Sequence, residues 1–369
     1  MLISHQILIV GGGAAGLAVA SSLHKRNSTL DIAVVEPSEK HYYQPGWTMV
    51  GAGVFKKTET CRDMNMVWPV GVKRIKSEVV SFDPDQHSVT LKDGKTLGYT
   101  SLVVAPGLKL DWDAVEGLND ALGKNGVTSN YRYDLAPYTW ELVKKIDGRK
   151  AIFTQPGMPI KCAGAPQKAM YLSCDHWMKK GQLKDMNVSF CNAGPVLFGC
   201  APYVPPLMEY VDRYGINLDF GHNLIKIDGP KKTAWFRVTK EDSGPEVVER
   251  EFDMIHVCPP QCAPDFIRDS ALSNDAGWVD VDPATLQHVK FSNIFSLGDV
   301  TSTPNAKTVA AARKQAPIVA ANVIAQIKGL EVSPKYDGYG SCPLTVENGK
   351  IILAEFGYGG KVMPTFPWD

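Results

Sequence analysis

The chain begins with MLISHQILIVGGGAAGLAVASSLHKRNSTLDIAVVE, residues 1–36, and this stretch decides the fold. A short apolar run at residues 5–10 predicts a strand, and helical spacing of apolar residues then continues to Lys25. Residues 31–36 predict a second strand that ends in a carboxylate, Glu36. Strand, glycine turn, helix and strand in this order are typical of a dinucleotide-binding βαβ unit.

The turn between the first strand and the helix fits the pattern G-x-G-x-x-G at Gly11, Gly13 and Gly16. Gly11 permits the tight turn, Gly13 lets the backbone approach a pyrophosphate, and Gly16 lets the helix pack on the strand. The helix start offers free N–H groups and a positive dipole end to phosphates. Glu36 is placed to accept hydrogen bonds from ribose hydroxyls, whereas the alternative is a glycine-rich turn that binds nothing.

Composition restricts the class of protein. The chain has 369 residues, which predicts two or three domains, and its 44% hydrophobic and 21% charged residues are typical of a soluble globular protein. Because 39 basic residues balance 39 acidic ones, we expect no nucleic-acid partner. No run of 18 apolar residues predicts a transmembrane helix, and a strand that begins near residue 5 leaves no room for a targeting peptide in this chain.

Residues 37–47 are rich in aromatic residues and broken by proline, which predicts a loop along the cofactor. Gln44 in this loop could hydrogen-bond a ring or ribityl group, although the neighbouring aromatic residues could equally fill a core. The next predicted elements are strands at residues 71–82 and 101–107, with a hairpin at residues 87–91 and 96–99 between them. This order is found in flavoproteins with two dinucleotide domains, where the backbone near Val79 would meet the adenine end and Gly107 would pass the pyrophosphate.

The second half of the chain repeats the βαβ plan with a strand at 150–155, a helix at 165–180 and a strand at 187–191. Its turn lacks the glycine pattern, and no acid ends its second strand. Cys162 lies there instead, just before the helix. A thiol near a helix N-terminus with Lys161 and Lys168 close by should have a lowered pKa. The alternative is a buried, inert cysteine.

The remaining cysteines differ in their surroundings. Core positions are expected for Cys174, Cys191 and Cys258, while Cys200 and Cys262 stay open. Two prolines lie between Cys258 and Cys262, and no second pair of ligands is near, so we expect no metal site. Cys342 lies in a glycine-rich segment, which predicts an exposed loop near a site.

A Gly298-Asp299 pair follows a predicted strand at 292–299 and precedes a predicted helix at 308–328. Asp299 can bind ribityl hydroxyls, and the helix start near residues 309–312 can face the flavin ring, where a positive dipole end stabilises its anionic reduced form. Together with the first glycine turn, this pair favours FAD over NAD. The other predicted elements are a helix at 203–214, strands at 215–220, 251–257 and 277–282, and hairpins at 223–238 and 344–356.

Several motifs resemble those of the sulfide:quinone oxidoreductases, most closely the mitochondrial type. They are VGGGAAG, VVEPSEKHYYQPGW, PIKCAGAPQKAMYLS, AGWVDVD, LGDVTSTPNAKTVAA, KYDGYGSCPL and ILAEF, and they extend over nearly the whole chain. The resemblance implies that Cys162 and Cys342 are the redox-active pair. It also implies FAD contacts at Ala14, Ala15, Glu36, Gln44, Val79, Asp299, Val309, Ala310, Ala311 and Ala312.

The resemblance implies an α/β fold with two Rossmann-like domains. We expect an FAD domain from residues 1–110 and 285–330, a second domain from 111–284 that carries Cys162, and a β-rich extension from 331–369 that carries Cys342. Hydrogen sulfide would be oxidised, its sulfur would pass to a glutathione-like thiol or to sulfite, and the electrons would pass to a quinone.

The same resemblance implies peripheral contact with a membrane. The expected location is the matrix face of the inner mitochondrial membrane, or the cytoplasmic face of a bacterial membrane, although the amphipathic tail of family members does not follow Asp369 here. Two alternatives stay open: a type II NADH:quinone reductase on the same scaffold, which the missing second glycine pattern disfavours, and a flavoprotein scaffold without catalysis.

Overall fold

Two parallel βαβ units organise the chain, as the sequence repeat predicts. The computed structural model describes residues 3–146, 148–240 and 243–366, so the last three residues of the predicted extension lie outside the described part. The described strands are β1 (Ile3–Val10), β2 (Ile32–Val35), β3 (Lys40–Tyr42), β4 (Cys61–Asp63), β5 (Lys73–Ile75), β6 (Val79–Asp83), β7 (Ser88–Leu91), β8 (Thr96–Val104), β9 (Lys109–Leu110), β10 (Val127–Thr128), β11 (Lys150–Gln155), β12 (Asn187–Asn192), β13 (Asn217–Phe220), β14 (His222–Asp228), β15 (Thr233–Lys240), β16 (Ser243–Glu251), β17 (Met254–His256), β18 (Gln261–Cys262), β19 (Ile294–Ser296), β20 (Gly340–Glu347) and β21 (Lys350–Phe356).

The helices confirm the four long predicted ones within a few residues. The described helices are α1 (Ala14–Arg26), α2 (Gly46–Gly51), α3 (Leu118–Ala121), α4 (Ala136–Lys145), α5 (Ala165–Lys179), α6 (Val204–Tyr214), α7 (Asp265–Arg268) and α8 (Val309–Ile327). The predicted loop at residues 37–47 is wrong in part, because it contains β3 and the first residues of α2. In the described part of the chain, no helix is long and apolar enough to cross a membrane.

The first sheet has the order β5-β2-β1-β8-β7-β6, and β19 also pairs with β8. The predicted strands at 96–99 and 101–107 are one strand, β8. One edge of β8 pairs with β1, and its other edge is shared by β7 and β19. Its first three residues pair antiparallel with β7, and its last three pair parallel with β19. The predicted strand at 71–82 is instead two strands, β5 and β6, which lie at opposite edges of this sheet.

The second sheet is wholly parallel, in the order β10-β17-β11-β12-β13. The predicted hairpin of β14 and β15 is confirmed, but β16 adds a third antiparallel strand that the sequence analysis missed. The predicted strand at 251–257 is therefore shorter, since Glu251 ends β16. Residues 277–282 form isolated bridges at Val279 and Val281 rather than a strand. The α/β class with two Rossmann-like units is confirmed.

The terminal hairpin of β20 and β21 packs on the second unit. Cys342, Leu344, Val346 and Ala354 lie in the same buried cluster as α5 and the strands β11 and β12. The first sheet has its own core with α1 and α8. This packing brings Cys342 against the start of α5, where Cys162 lies. The division into domains stays a prediction.

Candidate active site

The first glycine turn has the geometry that its sequence predicts. Gly11 has a positive φ of +100°, and a methyl group there would lie 2.5 Å from the Ala105 carbonyl oxygen. A methyl group at Gly16 would overlap the Gly11 carbonyl oxygen, so only glycine lets α1 approach the turn so closely. A methyl group at Gly13 would meet open space, and no side chain caps α1 there. The start of α1, with Ala14 and Ala15 in its first turn, is therefore open to an anion.

Glu36 is fixed beside this turn. Its carboxylate accepts the Gly12 backbone N–H at 2.6 Å and the Ser38 backbone N–H at 2.7 Å. Each carboxylate oxygen keeps a further lone pair, so both can still accept a hydrogen bond from a ligand. The two backbone donors thus orient an acceptor at the end of β2, as a ribose diol requires.

The Gly298-Asp299 pair lies next to the first turn. A methyl group at Gly298 would come within 2.9 Å of the Ala15 side chain, and the Gly298 N–H donates to Gln315 Oε1 at 2.8 Å. The Asp299 carboxylate has no hydrogen-bond partner among the described residues. Burial raises its pKa, and the charges of Lys307 and Lys161 oppose this rise. An unsatisfied acceptor so close to the glycine turn fits a group that brings hydroxyls.

At the start of α8, two of the first four backbone amides are already bonded within the helix cap. The Thr308 side chain accepts the Ala311 N–H at 3.2 Å, and the Thr308 carbonyl accepts the Ala312 N–H at 3.1 Å. The amides of Val309 and Ala310 are thus the ones that helix capping leaves for a ligand.

The structure also locates the other predicted cofactor residues. Gly107 has a φ of +78° and faces open space. The Val79 side chain is buried in the first core, so only its backbone is available. Gln44 lies near the second unit, because its Oε1 accepts the Lys161 ammonium at 2.5 Å. Gln44 therefore links the first glycine unit to the cysteine loop.

The structure brings Cys162 and Cys342 together. Their sulfurs are 3.3 Å apart and both thiols are free. The Lys168 ammonium lies 3.5 Å from the Cys162 sulfur. Gly164 lets Cys342 approach the Cys162 loop, since a methyl group at residue 164 would lie 2.5 Å from the Cys342 sulfur. The distance is short enough for a disulfide to form after a small movement.

The two sulfurs differ in charge. The hydrogen bond from Cys342 is the largest influence that lowers the pKa of Cys162, to about 5; the Lys168 ammonium adds to this effect and burial opposes it. The same hydrogen bond, followed by burial, raises the pKa of Cys342. Burial opposes the rise in the pKa of Lys168, but the charge of the two sulfurs outweighs it. The pair therefore holds its negative charge on Cys162.

The exposed loop predicted for Cys342 is wrong. Cys342 lies inside β20 and is 2% exposed, because that strand packs against α5. The core positions predicted for three other cysteines are confirmed, and burial raises the pKa of all three, Cys174, Cys191 and Cys258. Cys200, for which the sequence favours neither position, is also buried and lies 3.2 Å from the Gly360 carbonyl oxygen. Cys262 is half-buried on β18.

Residues that sequence reasoning missed hold the cysteine loop. The Lys307 carbonyl accepts the Cys162 N–H at 2.9 Å, and the Lys307 ammonium donates to the Asp299 carbonyl at 2.7 Å. Burial lowers the pKa of Lys307 to about 8, and Asp299 opposes this. Tyr131 and Gln261 contact Lys161 from two further segments. Of these three residues, Lys307 alone has a signal in the sequence, because it lies within the motif LGDVTSTPNAKTVAA. Tyr131 and Gln261 lie in none of the quoted motifs.

The end of β12 in the second unit is closed by its last side chain. β12 ends in Asn192, whose Oδ1 accepts the Gly194 N–H at 2.8 Å and whose amide donates to the Val196 carbonyl at 2.9 Å. Asn192 is 1% exposed, whereas Glu36 at the equivalent end of β2 is only half-buried. The second unit thus lacks the accessible acceptor that the first unit offers to a ribose.

Comparisons with known proteins agree with this geometry. Residues 5–146 match the sequence family described as Pyridine nucleotide-disulphide oxidoreductase. The mitochondrial sulfide:quinone oxidoreductase of Dictyostelium discoideum is 46% identical over 368 residues, which cover 99% of this chain and 80% of that protein. The mouse protein of the same name is 37% identical over 365 residues, which cover 99% and 81%.

A solved structure agrees in fold. The sulfide:quinone oxidoreductase of Aquifex aeolicus superposes with a TM-score of 0.80 at 19% identity, and the match covers 98% of this chain and 85% of that one. At this identity the likeness shows the shared fold alone.

Proposed function

Because this chain belongs to the sulfide:quinone oxidoreductases, which oxidise sulfide with a quinone, we propose that Cys162 and Cys342 are its redox-active pair. The observation that carries the proposal is the 3.3 Å distance between two free sulfurs, one of them beside the Lys168 ammonium. Such a pair can alternate between dithiol and disulfide, and its lower-pKa member supplies the thiolate.

The family implies a flavin, and we propose that it is FAD. The open start of α1 would take the pyrophosphate, Glu36 the ribose, and Asp299 the ribityl hydroxyls. The amides of Val309 and Ala310 would face the flavin ring, with Gln44, Gly107 and the backbone of Val79 as further contacts. When bound, FAD would supply a two-electron acceptor for the thiols.

The oxidised cysteine pair starts the cycle. Hydrosulfide attacks the Cys342 sulfur, the bond between the two cysteine sulfurs breaks, and Cys162 leaves as a thiolate. Cys162 is the better leaving group because its thiol has the lower pKa. Lys168 holds the new negative charge. Because sulfide is already partly ionised near neutral pH, little base catalysis is needed.

The second half of the cycle restores the disulfide. A thiolate or sulfite removes the outer sulfur from the Cys342 persulfide, which leaves Cys342 as a thiolate. The two cysteine sulfurs then bond again and release two electrons, which reduce one quinone together with two protons. The 3.3 Å approach of the sulfurs makes this closure local.

We propose a mitochondrial location, at the matrix face of the inner membrane, because the relatives in Dictyostelium discoideum and mouse are named as mitochondrial. A quinone with an apolar tail resides in a bilayer, so the chain is proposed to contact the membrane surface. The small acceptor is proposed to be a glutathione-like thiol or sulfite, both of which attack a persulfide as anions.

An anaerobic titration of the purified holoprotein with sulfide tests the function. We expect sulfide to bleach the flavin absorbance, and a soluble quinone to restore it. Cys162→Ser and Cys342→Ser should each abolish bleaching while the flavin stays bound. Cys174→Ser is the matched control, because Cys174 is fully buried in α5 and should leave bleaching unchanged.

Three results would contradict the proposal. Normal bleaching by sulfide in either cysteine variant would remove the pair from the mechanism. Bleaching by NADH but not by sulfide would favour the NADH:quinone reductase alternative, and no response to either would favour a non-catalytic flavoprotein.

A further inference from the structure

The peptide just before Cys162 is held from both sides. Gln261 Oε1 accepts the Lys161 backbone N–H at 2.7 Å, and the Tyr131 hydroxyl donates to the Lys161 carbonyl at 3.3 Å. Tyr131 follows β10 and Gln261 begins β18, so two segments distant in sequence form hydrogen bonds with Lys161. We call Tyr131 and Gln261 the brace.

The brace is itself anchored in the interior. Tyr131 is 5% exposed and packs in one buried cluster with Ile160 and Cys258. Gln261 is 9% exposed, and its amide lies 3.7 Å from the Cys258 sulfur. Both side chains thus lie against Cys258 in the interior, which restricts their movement away from Lys161.

Cys162 needs such support because of its backbone. Its φ is +52°, in the left-handed region that residues with a side chain rarely adopt. Non-glycine residues persist there only where surrounding contacts over-determine the conformation. Around Cys162 these contacts are the two brace hydrogen bonds, the Cys162 N–H to the Lys307 carbonyl at 2.9 Å, and the Ala165 N–H to the Cys162 carbonyl at 2.8 Å.

We propose that Tyr131 and Gln261 are positioning residues that hold Cys162 in its left-handed conformation and so keep its sulfur between Cys342 and Lys168. Release of the peptide would let Cys162 relax to an ordinary backbone conformation. Its sulfur would then move away from the hydrogen bond of Cys342 and from the ammonium of Lys168. This role deepens the proposed function and rests on it.

The charge on Cys162 reports the position of its sulfur. The titratable groups that face this sulfur are Cys342 from β20, Lys168 from α5, Lys161 in its own loop, and the buried Tyr131 and Cys258. Cys342 and Lys168 stabilise the thiolate, and the brace holds the sulfur beside both. A role in stability alone would not change the pH at which this thiol ionises.

The test is the pH dependence of alkylation at Cys162 in the reduced holoprotein. Iodoacetamide reacts with the thiolate, and trypsin releases the modified thiol in the peptide of residues 162–168, which mass spectrometry quantifies. Tyr131→Phe keeps the ring and removes only the hydroxyl, and Gln261→Met keeps the length and removes the acceptor. Tyr138→Phe and Gln287→Met are matched controls, because these side chains bond backbone groups elsewhere.

In both brace variants we expect the half-maximal pH of alkylation to rise by roughly one unit, which is a roughly tenfold loss of thiolate at acidic pH. The double variant should shift less than the sum of the single shifts, because both act on one peptide. Both controls should match the unchanged protein. Unchanged half-maximal pH values in Tyr131→Phe and Gln261→Met, with thermal melting showing both variants folded, would overturn the proposal.

The readout separates this inference from the proposed function. Alkylation needs no sulfide, so its pH dependence tests the brace even if sulfide fails to bleach the flavin. If the brace variants shift and, at a pH between the two half-maximal values, sulfide bleaches their flavin more slowly than that of the unchanged protein and the controls, both proposals stand. If bleaching at that pH is normal in variants whose half-maximal pH has shifted, the brace positions the thiol without serving the reaction, and its link to the proposed function is wrong.

Discussion

At the scale of single residues, charge is separated between two like groups. Cys162 and Cys342 are chemically identical, yet one has a pKa of about 5 and the other a raised pKa. Their mutual hydrogen bond favours one negative charge shared unequally, and Lys168 decides which sulfur carries it. An asymmetric pair has a defined leaving group, which a symmetric pair lacks.

Lys168→Met should therefore slow the reaction with sulfide at low pH. Above a pH of about 5 the unchanged Cys162 is a thiolate, and its charge is lost as the pH falls through that value. Without the ammonium, this loss should begin at higher pH. The measurement is the rate of flavin bleaching by sulfide across a pH series, with the exposed Lys180→Met at the end of α5 as control. Coincident pH profiles for Lys168→Met and the unchanged protein would exclude this role.

His256 predicts how stability depends on pH. It is fully buried, its Nε2 accepts the Asn130 N–H at 2.9 Å, and burial lowers its pKa to about 4. The unfolded chain, with an ordinary histidine pKa near 6.5, binds the proton first, so stability is complete above that pH and is lost as the pH falls towards 4. The loss amounts to about 3 kcal/mol.

His256→Gln should flatten this dependence, because the glutamine oxygen can still accept the Asn130 N–H and does not titrate. The free energy of unfolding measured by denaturant at several pH values below neutrality checks this. His87→Asn, at an exposed position, should keep the slope of the unchanged protein. An equally steep slope in His256→Gln would assign the acid sensitivity to other groups.

At the scale of elements, the site depends on how closely β20 approaches the start of α5. Gly164 lies at this contact, immediately before the helix. A side chain there would press on both Cys342 and Leu344. The glycine therefore sets the distance between the two sulfurs, and its role is steric rather than conformational.

Gly164→Ala should cost roughly 1–3 kcal/mol of folding stability through overpacking. It should also slow sulfide-dependent bleaching by up to roughly a hundredfold, because small displacements of reacting groups are expensive. Thermal melting and stopped-flow absorbance measure the two effects. Gly157→Ala is the matched control, since a methyl group there meets open space. Bleaching at the normal rate in Gly164→Ala would show that β20 can yield at this contact.

Elements also show where sequence reasoning succeeds. Both βαβ units were predictable because glycine turns, apolar strands and helix starts are local signals, as at Gly11 and Cys162. The burial of Cys342 was not predictable, because it depends on β20 packing against a helix far away in sequence. For the same reason the brace was missed: hydrogen bonds from Tyr131 and Gln261 to Lys161 leave no local pattern.

At the scale of the whole molecule, one buried carboxylate ties the C-terminal segment to the cysteine hairpin. Glu355 on β21 is 3% exposed and accepts hydrogen bonds from the Tyr339 hydroxyl and from the backbone and side chain of Thr365. The Met363 N–H donates to the Glu355 carbonyl at 2.9 Å. Glu355 thus holds both Met363 and Thr365 by hydrogen bonds.

Glu355→Gln should release this segment, because an amide offers only one acceptor atom to three donors. We expect a loss of roughly 1–3 kcal/mol of local stability, since buried donors lose their partner. Hydrogen exchange at the amides of Met363, Thr365 and Phe366 measures the release, and Glu331→Gln at an exposed position is the control. Equal protection of these amides in Glu355→Gln and the unchanged protein would show that packing alone holds the segment.

The shared edge of β8 has a consequence for biosynthesis. β19 completes the first sheet next to β8, and Ser296 bonds the Val104 carbonyl at 2.6 Å across 192 positions of sequence. While the chain is being synthesised, that half of the edge stays bare until residue 296 has left the ribosome. The whole second unit emerges in that interval and can fold first. Asp299 and the start of α8 arrive directly after β19, so the nascent protein gains the last of its proposed cofactor contacts only when the sheet closes.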